Sequence, residues 1–341
     1  MYVKRWQGLL IGLTISVLAL YFALRGVDFG KLQLVLAQGH YFWLIPVAIC
    51  TILSFGVRAL RWKALLNERI QLTHSFNILN ISYLFNLLLP MRLGEVVRAF
   101  MTTRLDPPIA MMTSLSTIVV ERVMDLLSIV LIAMIVLIVA PSAEQITFST
   151  RTSGVLGLVG IGVLILIAMH PDIARQILTR LVAALPFLKR FPVEMLLERA
   201  LEGLAPLRTF KTAVPITGWT VLAWGFSITQ VYLLLFVFYD APTLQAALVI
   251  SVLTALAVAL PVIPGNVGPY EAAVVFGLSI SLLGASDPAG QARAFGFAVL
   301  FHLNSVLPYV VLGLIGLNQE QVTMAGLFKS VRWQAIESSA T

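Results

Sequence analysis

The chain has 341 residues, 59% of them hydrophobic and only 11% charged, with a net charge of +7, a mean hydropathy of +0.94 and a pI near 9.8. An average soluble domain carries roughly 25% charged residues, and here the apolar residues form long runs rather than alternating patterns. Soluble enzymes, nucleic-acid-binding modules and transmembrane β-barrels are excluded, and the pattern predicts an all-α polytopic transmembrane helix bundle of roughly six to eight spans.

In chain order, Lys4, Arg5 and Trp6 precede an apolar stretch from Gly8 to Leu24. It is longer than a signal-peptide core and lacks a small-x-small cleavage site, so it reads as a retained first helix with a cytoplasmic N-terminus. Residues 25–40 form a short outside segment. A second helix, Tyr41 to Leu60, ends in Arg58-x-x-Arg61-Trp62-Lys63. Arg61, Trp62 and Lys63 read as a cytoplasmic interfacial anchor. Arg58, one turn deeper, either snorkels or faces a site. Cys50 is the single cysteine, so one chain offers no disulfide, thiolate metal site or redox pair. No metal or cofactor is expected.

Phe76 to Leu89 is too short to cross a bilayer. It runs into Asn86-x-x-x-Pro90-x-Arg92-x-Gly94-Glu95-x-x-Arg98. Backbone breakers and ionised side chains at membrane depth persist only when buried in protein or lining a wet cavity. The segment therefore reads as re-entrant from the cytoplasmic side. The competing reading is a cytoplasmic loop whose arginines obey the positive-inside rule. Next, Pro108 to Ala140 is about 48 Å long if helical, against a hydrocarbon core of roughly 30 Å. Either a tilted helix or a break accommodates the excess, and Glu121-Arg122-x-x-Asp125 stands where a break would fall.

After an outside loop at 141–151, a helix over 154–169 returns the chain to the cytoplasm. Residues 172–212 carry mixed charge at amphipathic spacing, which predicts helices lying on the inner leaflet. Another helix covers 214–239. The 244–283 unit is two spans or one hairpin, interrupted at Pro261-x-x-Pro264-Gly265-Asn266-x-Gly268-x-x-Glu271. The last helix, 293–317, contains His302 and Asn304 and precedes a basic tail with Lys329 and Arg332. Residues 1–320 thus form one transmembrane domain, and 321–341 a cytoplasmic tail. The breaks near residues 90 and 264 share a Pro, Gly, acid order, compatible with an inverted repeat meeting near the midplane.

The intramembrane polar set is Arg58, Arg92, Glu95, Arg98, Glu121, Arg122, Asp125, Asn266, Glu271 and His302. These residues either pin re-entrant segments through internal ion pairs or leave an arginine fork to bind phosphate. His302 reads as a hydrogen-bonded core histidine or a proton relay. No Gly-x-Ser-x-Gly, phosphate-binding glycine loop or zinc spacing is present. A Glu121/Asp125 pair could do acid/base work, but Arg122 beside it keeps both ionised.

The motifs Arg58-x-x-Arg61-Trp62, Asn86 through Arg98, Glu121-Arg122-x-x-Asp125 and Pro264-Gly265-x-x-Gly268-x-x-Glu271 resemble, in this order, the membrane domain of lysylphosphatidylglycerol synthases. The resemblance covers about residues 5–320. It implies a domain that moves aminoacylated phosphatidylglycerol between leaflets, with a separate soluble domain making the lipid from aminoacyl-tRNA. The chain ends soon after its last predicted helix, so that transferase domain is expected to be absent and the chain is expected not to be an enzyme. Related domains accompany glycosyltransferases, which makes a polyprenyl-phosphate-linked sugar the second substrate class.

The resulting expectation is a flippase-like transporter of the cytoplasmic (inner) membrane, with both termini cytoplasmic. It would move an anionic or aminoacylated phospholipid, passively or with an ion gradient. Arg92, Arg98 and Arg122 would receive the phosphate, and Glu95, Glu121, Asp125 and Glu271 would hold them or meet a cationic headgroup. The alternative is a membrane enzyme using Glu121 and Asp125, or a partner subunit, in aminoacyl-phospholipid or polyprenyl-phosphate glycolipid synthesis. Expected partners are the membrane, such a lipid, a separate synthase or glycosyltransferase, and further copies of the chain. Nucleic acid is not among them.

Overall fold

A computed structural model describes residues 14, 17–18, 20–21, 23–24, 27–89, 92–139, 210–259, 264–281, 283 and 287–328. Most of the expected first helix, the 141–151 loop, the 154–169 helix, nearly all of the 172–212 insertion, Pro90, Pro261 and the tail with Lys329 and Arg332 lie outside the described residues.

Regular structure among the described residues is entirely helical. In order the helices are α1 (Phe29–Ala37), α2 (Leu44–Leu65), α3 (Leu72–Leu88), α4 (Leu93–Thr102), α5 (Met111–Val139), α6 (Phe210–Leu235), α7 (Leu244–Ala259), α8 (Pro269–Ile280) and α9 (Pro288–Gln319). Among the described residues three stretches are long and apolar enough to cross a membrane: Tyr41–Leu65, Phe210–Leu235 and Pro288–Gln319. Their outer faces are apolar. Ile45, Ile49 and Ile52 on α2 and Leu303, Leu307 and Leu314 on α9 are exposed at helical spacing, as a lipid-facing surface requires.

Lipid tails are as apolar as leucine, so helices in a bilayer associate through close backbone approach and small residues. Gly313 and Gly316 on α9 show this. A Cβ at Gly313 would lie 2.6 Å from the Leu84 Cβ, and one at Gly316 would lie 2.9 Å from the Asn77 carbonyl oxygen on α3. On the α2–α6 seam, Ser54 meets Ser227 at 3.3 Å. One apolar core joins α6, α7, α8 and α9 around Leu234, Ile250, Val274 and Phe297. Another joins the end of α2 to α3 and α4 around Trp62, Ile78, Phe85 and Val97.

α3 packs against α4, and α7 against α8. With 17, 10, 16 and 12 residues, the arms run to about 25 Å or less at 1.5 Å per residue. None spans a hydrocarbon core of roughly 30 Å. Both units are therefore helical hairpins, and the 244–283 unit is a hairpin rather than two spans.

One open alternative is decided, against a break, and one expectation needs correction. α5 is a single helix of 29 residues running unbroken through Glu121, Arg122 and Asp125. These charges are matched by arginines and carboxylates on neighbouring helices, so the backbone has no reason to open there. Arg61 and Trp62 are likewise no interfacial anchor. Both are buried, at 2% and 0% exposure, because α2 continues past them to Leu65 and turns them towards α4 and α5.

Candidate functional site

The two hairpin tips are built on one local plan. In the first, Arg92 takes a left-handed backbone (φ 53°) as the N-cap of α4, and Glu95 sits in the first turn. Asn86 Oδ1 accepts from the Gly94 N–H at 2.9 Å. A side chain at Gly94 would collide with the Ser82 carbonyl and with Asn86, so glycine is what lets the hairpin fold back on itself. In the second, Gly265 (φ 68°), Asn266 (φ 53°) and Gly268 (φ 97°) turn the chain into α8. Gly268 is the N-cap there, and Glu271 occupies the position of Glu95, three residues past the cap. The acid of the order read from sequence thus falls at the same place, three residues past the cap, in both tips.

The tips touch. The Arg92 Nη2 donates to the Val258 carbonyl at 2.7 Å, and Gly265 lies against Leu87. Glu271 Oε2 accepts from the Gly268 N–H at 2.7 Å, while Oε1 meets His302 Nδ1 at 2.5 Å. His302 Nε2 in turn meets the Gly265 carbonyl at 2.9 Å, and Tyr270 stacks on its ring at 4.6 Å. His302 is therefore a hydrogen-bonded pin that ties the second tip to α9.

Behind the tips lies a dry ion-pair layer. Arg98 grips Glu121 with two contacts, at 2.5 and 3.0 Å, and both side chains are only 3% exposed. The Arg98 guanidinium stacks 3.9 Å over Trp62, whose Nε1 donates to Thr117 at 3.1 Å. Arg61 holds Asp125 at 2.8 Å and reaches Glu121 at 3.8 Å. Arg98, expected to receive the phosphate, and Glu121, expected to hold the arginines or meet a cationic headgroup, are occupied with each other. Neither lines the cavity described next.

That cavity has a volume of about 610 Å³ and opens between α2, α5, α6 and the two tips. Of the polar set, Arg58, Arg92, Glu95, Arg122, Asp125, Asn266 and His302 line it. Arg122 pairs with Glu95 at 3.1 Å and approaches Asp125 at 3.7 Å. Arg92 stands 3.8 Å from Glu95. Arg58 faces the cavity rather than snorkelling, held by Ser54 at 3.4 Å and Ser227 at 3.2 Å. Glu271 reaches the site through His302.

Several contributors escaped the sequence reading. Arg61 is central to the ion-pair layer; its spacing of three from Arg58 was visible, but its partner on α5 was not. Ser54 and Ser227 hold Arg58 yet look like ordinary small residues of membrane helices. Tyr83 and Tyr309, 5.0 Å apart, form part of the wall, and no local pattern marks them. Asn304 also lines the cavity, and its Nδ2 has no acceptor among the described residues.

Guanidinium groups beside apolar walls suit an anionic head on a hydrocarbon-soluble body. No curated protein and no solved structure matches this chain. The description "Lysylphosphatidylglycerol synthase TM region" matches residues 9–313, which takes in both hairpins, the ion-pair layer and the cavity. The chain belongs to the family of the lysylphosphatidylglycerol synthase transmembrane region, and it is an integral membrane protein.

Proposed function

We propose that this protein is a flippase-like transporter, moving an anionic or aminoacylated phospholipid between leaflets with the headgroup held between the hairpin tips. The observation that carries the reading is the gathering of Arg58, Arg92 and Arg122 around one cavity of about 610 Å³, in a bundle whose outer faces are apolar. Charged groups in such a setting are expensive and mark substrate pathways. Non-helical backbone at membrane depth occurs where it lines a cavity, and broken helices meeting there recur in secondary transporters. Membership of a membrane-lipid family supports the same reading. The acids that an enzyme would need, Glu121 and Asp125, are fixed by Arg98 and Arg61, which favours transport over acid/base chemistry.

The test is leaflet-resolved quenching of fluorescent phospholipids in liposomes containing the purified chain. Wild type is expected to equilibrate the label between leaflets, and Arg122→Ala is expected to slow this by at least tenfold while remaining folded. Absence of movement for every anionic and aminoacylated lipid, with and without a proton gradient, would remove the reading.

A further inference from the structure

Among the described residues, the charges around the cavity do not cancel, and the way they fail to cancel is specific. Five arginines belong to the cluster: Arg58, Arg61, Arg92, Arg98 and Arg122. Three carboxylates face them, and each has a nearest partner: Glu121 with Arg98 at 2.5 Å, Asp125 with Arg61 at 2.8 Å, and Glu95 with Arg122 at 3.1 Å. Glu271 meets His302 and does not line the cavity. Among the described residues Arg58 has no carboxylate at ion-pair distance, and Arg92 has only the longer contact, 3.8 Å, to the Glu95 that Arg122 already holds. The shortest contacts of both are to neutral oxygens. Arg58 has the hydroxyls of Ser54 and Ser227, and Arg92 has the Val258 carbonyl. Both line the same cavity.

We infer that this cavity takes a headgroup carrying two negative charges, a phosphate monoester or pyrophosphate, in preference to a phosphodiester or a cationic aminoacylated headgroup. Among the described residues, five arginines against three carboxylates leave two positive charges of the cluster unmatched beside an apolar wall. A ligand with one charge leaves one of them unmatched, whereas a dianion matches both. A phosphate monoester carries close to two negative charges above pH 7 and presents three acceptor oxygens. Two arginine forks engage such a group bidentately. Asn304, whose Nδ2 lacks an acceptor among the described residues, adds a neutral donor to the same cavity wall. The inference rests on reading the cavity as the headgroup site of a transporter, and it narrows that reading to one class of lipid.

The experiment measures binding to the purified full-length chain in detergent at pH 8, using short-chain phosphatidic acid, short-chain phosphatidylglycerol and glycerol 3-phosphate. Phosphatidic acid is expected to bind roughly tenfold or more tightly than phosphatidylglycerol. Arg58→Gln and Arg92→Gln should each reduce that ratio towards one, and Arg92→Lys, which keeps the charge, should preserve most of it. Glycerol 3-phosphate binding as well as phosphatidic acid assigns the dianion to a soluble phosphate; much weaker binding assigns it to a lipid. Equal affinity for phosphatidic acid and phosphatidylglycerol, or a ratio untouched in both glutamine variants, overturns the inference. Leaflet-resolved movement of the same lipids separates the two claims. Movement without preference leaves transport standing and removes the dianion. A binding preference without movement keeps the dianion and removes transport.

Discussion

Arg92 reaches from the tip of one hairpin to the Val258 carbonyl at the end of the other hairpin's first arm, at 2.7 Å. It does so from a left-handed backbone, φ 53°, a conformation that costs a residue with a side chain about 1 kcal/mol relative to glycine. The strain is tolerated because that backbone aims the guanidinium across the gap. Truncation should therefore separate two effects. Arg92→Ala keeps the strain and loses a charged donor, which is worth about 1.5–3 kcal/mol when buried and less at this partly exposed site. Arg92→Gly loses the same donor but relieves the backbone. Thermal unfolding in detergent should rank wild type above the glycine variant, with alanine lowest by about 1 kcal/mol. An alanine variant as stable as the glycine one would show that the tip does not hold this conformation.

Arg98 and Glu121 make the sharpest case for structure over chemistry. Both are 3% exposed and mutually matched, so removing one charge strands the other in a dry layer, at a cost of about 3–5 kcal/mol. Glu121→Gln or Arg98→Met alone should unfold well below the wild-type temperature. Arg98→Met combined with Glu121→Leu should recover most of the loss, since an apolar pair of similar volume fills the space beside Trp62. Lipid movement should follow stability in this series. A folded double variant that moves no lipid would instead mean that the pair takes part in transport directly.

The division between what could and could not be read from the sequence follows from this layer. Breaks at residues 92–94 and 264–268 were legible because Gly and Pro act on their own backbone, whatever surrounds them. Seven of the ten residues expected at the site line the cavity, because an arginine or carboxylate in an apolar run has few other reasons to be there. The assignments that failed depend on partners distant in sequence. Arg61 and Trp62 sit near a helix end and look like an anchor until Thr117, Glu121 and Asp125 of α5 close over them. The choice between a tilted and a broken α5 stayed open for the same reason: its charges are matched from α2 and α4, which no local spacing reveals.

Gly94 tests the close fold of the first hairpin. A Cβ there would collide with the Ser82 carbonyl oxygen and come within 2.6 Å of the Asn86 side chain. The backbone carbonyl cannot move without opening α3. Gly94→Ala should cost about 1–3 kcal/mol through overpacking and should disturb the Gly94–Asn86 hydrogen bond. Gly56→Ala is the matched control. It lies within α2 with nothing near its would-be Cβ, and it should be neutral or slightly stabilising through helix propensity. Unfolding temperatures of the two variants measured side by side decide the point, and equal effects would contradict the packing.

The second tip allows a test of whether Glu271 is needed as a charge or as a hydrogen-bonding shape. One carboxylate oxygen accepts from the Gly268 N–H, the other meets His302 Nδ1, and His302 Nε2 meets the Gly265 carbonyl. A glutamine can reproduce all three contacts. Its carbonyl accepts from the Gly268 N–H and its amide donates to Nδ1, in the tautomer whose Nε2–H donates to the Gly265 carbonyl. Glu271→Gln should therefore fall within about 1 kcal/mol of wild type, whereas Glu271→Ala orphans the Gly268 N–H and a ring nitrogen and should cost about 2–3 kcal/mol. Hydrogen exchange across residues 264–268 gives the local readout. Protection should survive in the glutamine variant and collapse in the alanine variant and in His302→Ala. If the glutamine variant lost protection as fully as the alanine one, the tip would be held by the charge of Glu271 rather than by its three hydrogen bonds.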